Sequence, residues 1–167
     1  MKNKQSVRFL ALSALIAGLY AVLTVVLAPI SFGFLQLRLS EGLNLLAFFL
    51  PQAIPGLAVG CLIANILGGG VLADVILGTL ATLLAAYLCN KSKNIFVAGI
   101  YPVVLNTVLV APVIVYYYMG GGSLGAYAGY TAVFALCEAA SVYAVGLPLA
   151  LGVKRALGFK KSITKTK

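Results

Sequence analysis

The three acidic side chains of this sequence, Glu41, Asp74 and Glu138, all lie between long apolar runs. A carboxylate at the depth of a lipid bilayer costs about 2.5–3.5 kcal/mol on insertion scales, so it usually persists where it faces a pocket, a pathway or a partner. There it can accept two hydrogen bonds from a planar polar edge, or hold a cation. The three acids are therefore the first candidates for a binding site.

Two of these acids have polar neighbours that suggest how a pocket could form. Arg38, Glu41 and Asn44 are three residues apart, which places them along one face of a helix. That face either forms one wall of a polar pocket or carries an ion pair between Arg38 and Glu41 that only neutralises the two charges. Asp74 follows the turn at 68–70, where it either joins the pocket or complements the positive N-terminus of its helix.

The third acid lies at the end of an aromatic stripe. Tyr127, Thr131, Phe134, Glu138 and Ser141 recur at steps of three and four residues. Such a stripe often serves packing alone, but a carboxylate at its inner end makes a site for a flat, polar ligand equally reasonable.

Two asparagines are further candidates. Asn65 closes the third apolar segment, and Asn106 lies between Pro102 and Pro112, each of which leaves a backbone carbonyl without its usual helical partner. These groups could contact a ligand or only each other.

Several absences exclude enzyme chemistry. The chain has no histidine, which removes Ser-His and HExxH mechanisms, and one aspartate cannot form an aspartyl dyad. Cys61, Cys89 and Cys137 lack CxxC spacing and are typical of packing residues, so we expect no metal and no cofactor. The sequence has no GxxxxGK[ST] motif, so ATP hydrolysis would need a separate protein.

The composition is that of a membrane protein. Hydrophobic residues make up 62% of the chain and charged residues 9%, with a mean hydropathy of +1.08, whereas soluble domains are about 45–50% apolar. The net charge of +9 comes mainly from the two ends. Lys and Arg beside a membrane explain this basicity, so we expect a lipid bilayer and no nucleic acid as its partner.

Apolar runs and helix breakers predict an all-α bundle of six transmembrane helices in one domain, residues 1–167. The helices are expected at about residues 8–28, 36–50, 53–68, 71–89, 95–118 and 124–154. The second and third could also be one bent helix, but six crossings put the basic clusters at both termini and at Lys91 and Lys93 in the cytoplasm. Both termini are therefore predicted to be cytoplasmic, and the polar residues suggest a cavity open to the outside.

The first helix carries small residues that let another helix approach closely. Ala14 and Gly18 form one small-xxx-small pair, and Ala17 and Ala21 form a second. Such pairs commonly serve internal packing, so they do not by themselves indicate an external partner.

Several longer motifs resemble one known family. They are Leu27-Ala-Pro-Ile-Ser-Phe-Gly-Phe-Leu-Gln-Leu-Arg-Leu-Ser-Glu41, Pro51-Gln-Ala-Ile-Pro-Gly56, Asn65-Ile-Leu-Gly-Gly69, Asp74-Val-Ile-Leu-Gly-Thr-Leu-Ala-Thr82 and Cys137-Glu-Ala139. Together they resemble the QueT family of queuosine-precursor transporters of the energy-coupling-factor (ECF) type, over nearly the whole chain.

The resemblance implies a substrate-binding subunit, or S-component, in the bacterial plasma membrane as a multi-pass protein. Such a subunit captures a vitamin-like molecule outside the cell and pairs with a transmembrane coupling subunit and two cytoplasmic ATPases. Small residues on the first helix typically meet the coupling subunit, which would assign that role to Ala14, Ala17, Gly18 and Ala21.

The resemblance also implies a 7-deazaguanine substrate, and residue chemistry suggests how it binds. Glu138 would accept from the guanine-like edge, and Glu41 or Asp74 would hold an aminomethyl cation. Polar contacts to the ligand would come from Arg38, Asn44, Asn65 and Asn106. One of the aromatic residues Tyr127, Tyr130 or Phe134 would stack on the ring.

Three alternatives remain open from the residues. The chain could be an S-component for another vitamin such as riboflavin or thiamine, since the architecture would be shared. It could be a proton-coupled secondary transporter, or a membrane scaffold whose acids are structural.

Overall fold

The regular structure of the chain is helical in the computed structural model, which describes residues 2–33, 36–118, 120–121 and 123–158. The basic C-terminal residues from Lys160 onward, which contributed to the predicted topology, lie outside this part. The α-helices are α1 (Lys2–Val26), α2 (Ala28–Ser31), α3 (Ala53–Leu67), α4 (Leu72–Lys91), α5 (Ile95–Ala98), α6 (Ile100–Leu109), α7 (Ala111–Tyr117), α8 (Leu124–Ala139) and α9 (Leu147–Ala156). A 3₁₀ helix (Leu39–Phe48) lies between α2 and α3, and a π-helical turn (Ala140–Gly146) joins α8 to α9.

Within the described residues, four stretches are long and apolar enough to cross a membrane. They are Gln5–Val26, Leu72–Lys91, Ile95–Tyr117 and Leu124–Ala156, and α3 is a shorter apolar helix. Leucine, isoleucine and valine side chains are exposed along the outer surfaces of these helices, as expected for contact with lipid. The helical membrane class is therefore confirmed, while the count of six spans and the cytoplasmic termini stay predictions.

The second predicted helix has a different form from the one expected. Residues 36–50 were expected to form an α-helix, but Leu39–Phe48 is a 3₁₀ helix. Every residue from Ser40 to Phe48 is buried, so neighbouring helices determine its form. With a rise of about 2.0 Å per residue, ten residues extend about 20 Å, short of the about 30 Å of a hydrocarbon core.

Two glycines bring the 3₁₀ helix into backbone contact with the π-helical turn. A Cβ atom built on Gly146 would lie 2.4 Å from the carbonyl oxygen of Gly42 and 2.6 Å from its Cα. A Cβ built on Gly42 would lie 2.7 Å from the carbonyl oxygen of Ser141. Only glycine permits this approach, which fixes the segment carrying Glu41 against the segment that follows Glu138.

Prolines account for two interruptions within the predicted helices. Pro112 lies in the first turn of α7, immediately after the break at Val110. Pro148 occupies the first turn of α9 and follows the π-helical turn. Proline has no amide hydrogen to donate to the carbonyl four residues earlier, so the regular α-helical hydrogen-bond pattern is interrupted at both places.

The helices pack in a chain around the 3₁₀ helix. α1 packs mainly on α3, α3 on α4, α4 on α6, and α6 on α8, while the 3₁₀ helix contacts α1, α4 and the π-helical turn. One apolar core includes Tyr20, Phe48 and Leu57, and a second includes Ile114, Tyr130 and Phe134. The buried polar residues lie where these elements meet.

Candidate functional site

Glu41 is 1% exposed and has hydrogen-bond partners on both carboxylate oxygens. The Tyr20 hydroxyl on α1 donates to Oε1, and the Thr82 hydroxyl on α4 donates to the same atom over 3.3 Å. Asn44 Nδ2 donates to Oε2 over 2.7 Å. Residues three apart are eclipsed in a 3₁₀ helix, which is why Asn44 reaches Glu41. Glu41 therefore ties together three elements of the bundle.

Arg38 pairs with Asp74 and not with Glu41. Nη2 of Arg38 lies 3.3 Å from Oδ2 of Asp74, and both side chains are buried. The guanidinium also lies 5.1 Å from the centre of the Phe32 ring. Asp74 lies in the first turn of α4, so it both complements the helix N-terminus and neutralises the arginine.

Asn65 connects this ion pair with the Glu41 contacts. Its Nδ2 lies 3.5 Å from the backbone oxygen of Asp74 and 3.5 Å from Sγ of Cys61. The Thr82 hydroxyl, which donates to Glu41, also lies 3.4 Å from the same sulfur. The predicted polar residues of the 3₁₀ helix, α3 and α4 thus form one connected group.

Glu138 is 1% exposed and belongs to the α6–α8 side of the bundle. Asn106 Nδ2 donates to its Oε2 over 3.4 Å. Glu138 also interacts electrostatically with Glu41 and Arg38. We call the following set the polar cluster: Tyr20, Arg38, Glu41, Asn44, Asn65, Asp74, Thr82, Asn106 and Glu138, all of which are buried.

The aromatic residues of α8 divide between two environments. The rings of Tyr130 and Phe134 are buried, with centres 6.2 Å apart and planes tilted by 36°. Tyr127 is only partly buried and, with Tyr116 and Leu124, lines a groove of about 390 Å³ at the other end of the stripe. The stripe thus runs from a surface groove at Tyr127 to the buried Glu138, and its role in binding stays a prediction.

Three buried acceptors of the polar cluster have no hydrogen-bond partner among the described residues. They are Oδ1 of Asn44, Oδ1 of Asn65 and Oδ1 of Asp74. An unpaired buried polar atom costs about 1–3 kcal/mol. The arrangement is suited to a ligand that brings hydrogen-bond donors.

The four small residues predicted for helix contact on α1 face two directions. Ala17 and Ala21 are buried, and a Cβ built on Gly60 of α3 would lie 2.7 Å from the backbone oxygen of Ala17. Ala14 and Gly18 are exposed, and nothing lies within 4 Å of a Cβ built on Gly18. Ala17 therefore serves the packing of α1 on α3, whereas Ala14 and Gly18 lie on the outer surface.

The exposed side of α1 borders an apolar groove of about 260 Å³. Its lining consists of Phe9, Leu10, Ser13, Ala14, Ala17, Pro55, Gly56 and Val59. Close contact between α1 and α3 is possible because Gly56 and Gly60 have no side chains: a Cβ on Gly56 would lie 2.6 Å from the backbone oxygen of Ser13.

Sequence reasoning missed two members of the polar cluster, Tyr20 and Thr82. Thr82 was not among the predicted site residues, yet it donates to Glu41. Tyr20 is a lone tyrosine within the first apolar run, and it is completely buried. A polar hydroxyl at bilayer depth was the signal that could have identified it.

A buried polar cluster inside an apolar helical bundle is typical of a multi-pass membrane protein whose acids face a pocket, a pathway or a partner. The comparisons with known proteins give the same class. The sequence profile of the QueT transporter family matches residues 10–155. The chain belongs to this family, which confirms the resemblance identified from its motifs.

One curated relative is named "Queuosine precursor transporter QueT", from Lactococcus lactis subsp. cremoris (strain MG1363). It is 44% identical to this chain over 72 residues, which is 42% of this chain and 42% of the relative. The match thus spans less than half of the relative's length. No solved structure matches the chain.

Proposed function

We propose that this protein is the substrate-binding S-component of an ECF-type importer and that its substrate is a queuosine precursor of the 7-deazaguanine class. Family membership and the name of the Lactococcus relative support the substrate class. The observation that carries the proposal is Glu138, a buried carboxylate on the same face of α8 as the buried rings of Tyr130 and Phe134, with a hydrogen bond from Asn106 to its Oε2.

The chemistry of the ligand suits this arrangement. A 7-deazaguanine has an N1–H and a 2-amino group side by side, and a carboxylate can accept from both. Glu138 takes this role, Phe134 or Tyr130 packs against the ring, and Asn106 contacts a further ring atom. The acceptors left unpaired at Asn44 and Asn65 accept from the remaining ligand donors.

The transport cycle requires partners that hydrolyse ATP. The sequence has no phosphate-binding GxxxxGK[ST] loop, so two separate ATPases would supply the energy through a transmembrane coupling subunit. The exposed Ala14 and Gly18, together with the apolar groove between α1 and α3, are the proposed contact for that subunit.

A binding panel tests the substrate assignment. The purified protein in lipid nanodiscs is titrated calorimetrically with 7-aminomethyl-7-deazaguanine, 7-cyano-7-deazaguanine, queuine, riboflavin and thiamine. We expect binding of deazaguanines and no binding of the two vitamins. Binding of riboflavin or thiamine alone would refute the substrate class while leaving the S-component role open to its own test.

Glu138→Gln tests the site within the same assay. The substitution keeps the size of the side chain but replaces one acceptor oxygen with a donor, which opposes the donors of the guanine-like edge. Loss of a charge-assisted hydrogen bond costs about 1.5–3 kcal/mol, so affinity should fall about 10- to 100-fold. Cys137→Ser, at the partly exposed neighbouring position, is the control and should bind as the parent does. Equal affinity of Glu138→Gln and the parent would contradict the assignment.

A further inference from the structure

The polar cluster contains more acids than cations. Glu41, Asp74 and Glu138 are all buried, and Arg38 is the one buried cation in the part of the chain that the structure describes. Buried charges are usually paired, because an uncompensated charge in a medium of low polarity is costly. A ligand that carries a positive charge would reduce this imbalance.

The hydrogen bonds of Glu41 and Asp74 distinguish these two acids. Both oxygens of Glu41 accept from protein side chains, and these donors come from α1, α4 and the 3₁₀ helix itself. Asp74 instead uses Oδ2 for Arg38, while its Oδ1 is buried and has no partner among the described residues. Of these two acids, only Asp74 retains an acceptor for a ligand.

A second unpaired acceptor lies close to Asp74. Asn65 is completely buried, and its Oδ1 also has no partner among the described residues. A Cβ atom built on Gly78 of α4 would lie 3.0 Å from Nδ2 of Asn65 and 3.5 Å from Oδ1 of Asp74. Nη1 of Arg38 lies 3.8 Å from the same Cβ position, so a methyl group at Gly78 would crowd all three side chains.

From these contacts we infer that Asp74 and Asn65, beside Gly78, form a subsite for a primary ammonium group of the substrate, and that Glu41 is a structural anchor. The inference rests on the proposed function, since the ammonium is that of an aminomethyl substituent on the deazaguanine ring. An ammonium has three donors, two of which would pair with the unpaired oxygens of Asp74 and Asn65. Gly78 is then a specificity-determining residue, because a methyl group there would crowd both side chains.

A pair of ligands that differ mainly in charge tests the subsite. 7-Aminomethyl-7-deazaguanine carries the ammonium, whereas 7-cyano-7-deazaguanine has a neutral nitrile at the same position. A charge-assisted contact predicts that the parent protein binds the aminomethyl compound about tenfold more tightly or better. Equal affinity for the two compounds would overturn the subsite and leave the proposed function standing, whereas binding of neither of them and no binding of queuine would overturn both.

Substitutions at Asp74 and Glu41 assign the preference to one acid. Asp74→Asn should bring the ratio of the two dissociation constants close to one, while binding of the nitrile shows that the variant is folded. Glu41→Gln should keep the ratio of the parent protein, even where both affinities fall. The assignment would be refuted if Asp74→Asn still preferred the aminomethyl compound to the nitrile. It would also be refuted if Glu41→Gln abolished this preference and Asp74→Asn did not.

Gly78→Ala provides an independent test that leaves every charge in place. The added methyl group should reduce affinity for the aminomethyl compound more than for the nitrile. Gly129→Ala, on α8, is the matched control, since nothing lies within 4 Å of a Cβ at that position. It should bind both compounds as the parent does, and an unchanged ratio for Gly78→Ala would count against the subsite.

Discussion

Replacing Gly146 with alanine should destabilise the protein through its contact with the 3₁₀ helix. The new methyl group would lie 2.4 Å from the carbonyl oxygen of Gly42 and 2.6 Å from its Cα, both of which are backbone atoms. A flexible side chain could turn aside, but here the two segments must separate. Overpacking of this kind costs about 1–3 kcal/mol, occasionally more. For a chain of this size that corresponds to a melting temperature about 2–12 °C lower.

Thermal unfolding in detergent micelles measures the effect. Cys61 and Cys89 are buried and free, so a thiol-reactive fluorophore reports their exposure as the protein unfolds. Gly129→Ala is the control, because its methyl group enters open space and alanine favours a helix over glycine by about 0.8–1.0 kcal/mol. Gly146→Ala should therefore melt below the parent and Gly129→Ala at or above it.

The same variant should also bind substrate less tightly. Gly42 directly follows Glu41, and the π-helical turn that contains Gly146 begins two residues after Glu138. Separation of the two segments therefore shifts acids on both sides of the polar cluster. A Gly146→Ala protein that melts at the temperature of the parent would refute the reasoning, since it would mean that the close backbone contact carries no packing constraint.

Three other variants each test a single contact. Tyr20→Phe removes one of the donors to Glu41 and should lower the free energy of unfolding by about 1.5–3 kcal/mol; an unchanged melting temperature in the same thermal assay would contradict this role. Ala14→Leu should leave substrate binding intact but reduce co-purification with the coupling subunit, whereas Ala17→Leu should lower the melting temperature because Ala17 packs against Gly60. Normal assembly of Ala14→Leu would exclude this face of α1 as the contact.

The helix positions were largely predictable because their ends are marked by residues with strong local preferences. The glycines at 68–70 separate α3 from α4, and Asn94 and Ser123 accept hydrogen bonds from the first turns of α5 and α8. These signals act within a few residues, so the sequence carries them directly. The apolar runs between these signals are long enough to be predicted as helices without knowledge of tertiary contacts.

The 3₁₀ form of residues 39–48 was not predictable in this way. Its geometry depends on a contact between Gly42 and Gly146, which are distant in the sequence. An isolated glycine in an apolar segment is equally consistent with ordinary helix packing or with a helix end. The choice is made by the neighbouring elements, which bury every residue from Ser40 to Phe48.

Within the candidate site, residue identity was easier to predict than pairing. The acids were evident because charge is rare in this chain, but the spacing of Arg38 and Glu41 suggested an ion pair that does not form. Arg38 precedes the 3₁₀ helix with an extended backbone (φ −89°, ψ 91°), and its guanidinium pairs with Asp74. The direction of one side chain at a helix end cannot be derived from periodicity.

The unequal pairing of the acids connects binding with transport. Glu41 has its donors within the protein, so it stabilises the empty and the loaded bundle alike. Oδ1 of Asp74 and Oδ1 of Asn65 have no partner among the described residues, so in the proposed subsite a ligand that supplies donors would add interactions that the empty bundle lacks. Ligand binding to the folded state adds about 2.7 kcal/mol of stability at a concentration 100 times the dissociation constant. A ligand shifts a conformational equilibrium only by its differential affinity for the two states. In the proposed subsite, the two unpaired oxygens are the groups through which a loaded protein would differ from an empty one.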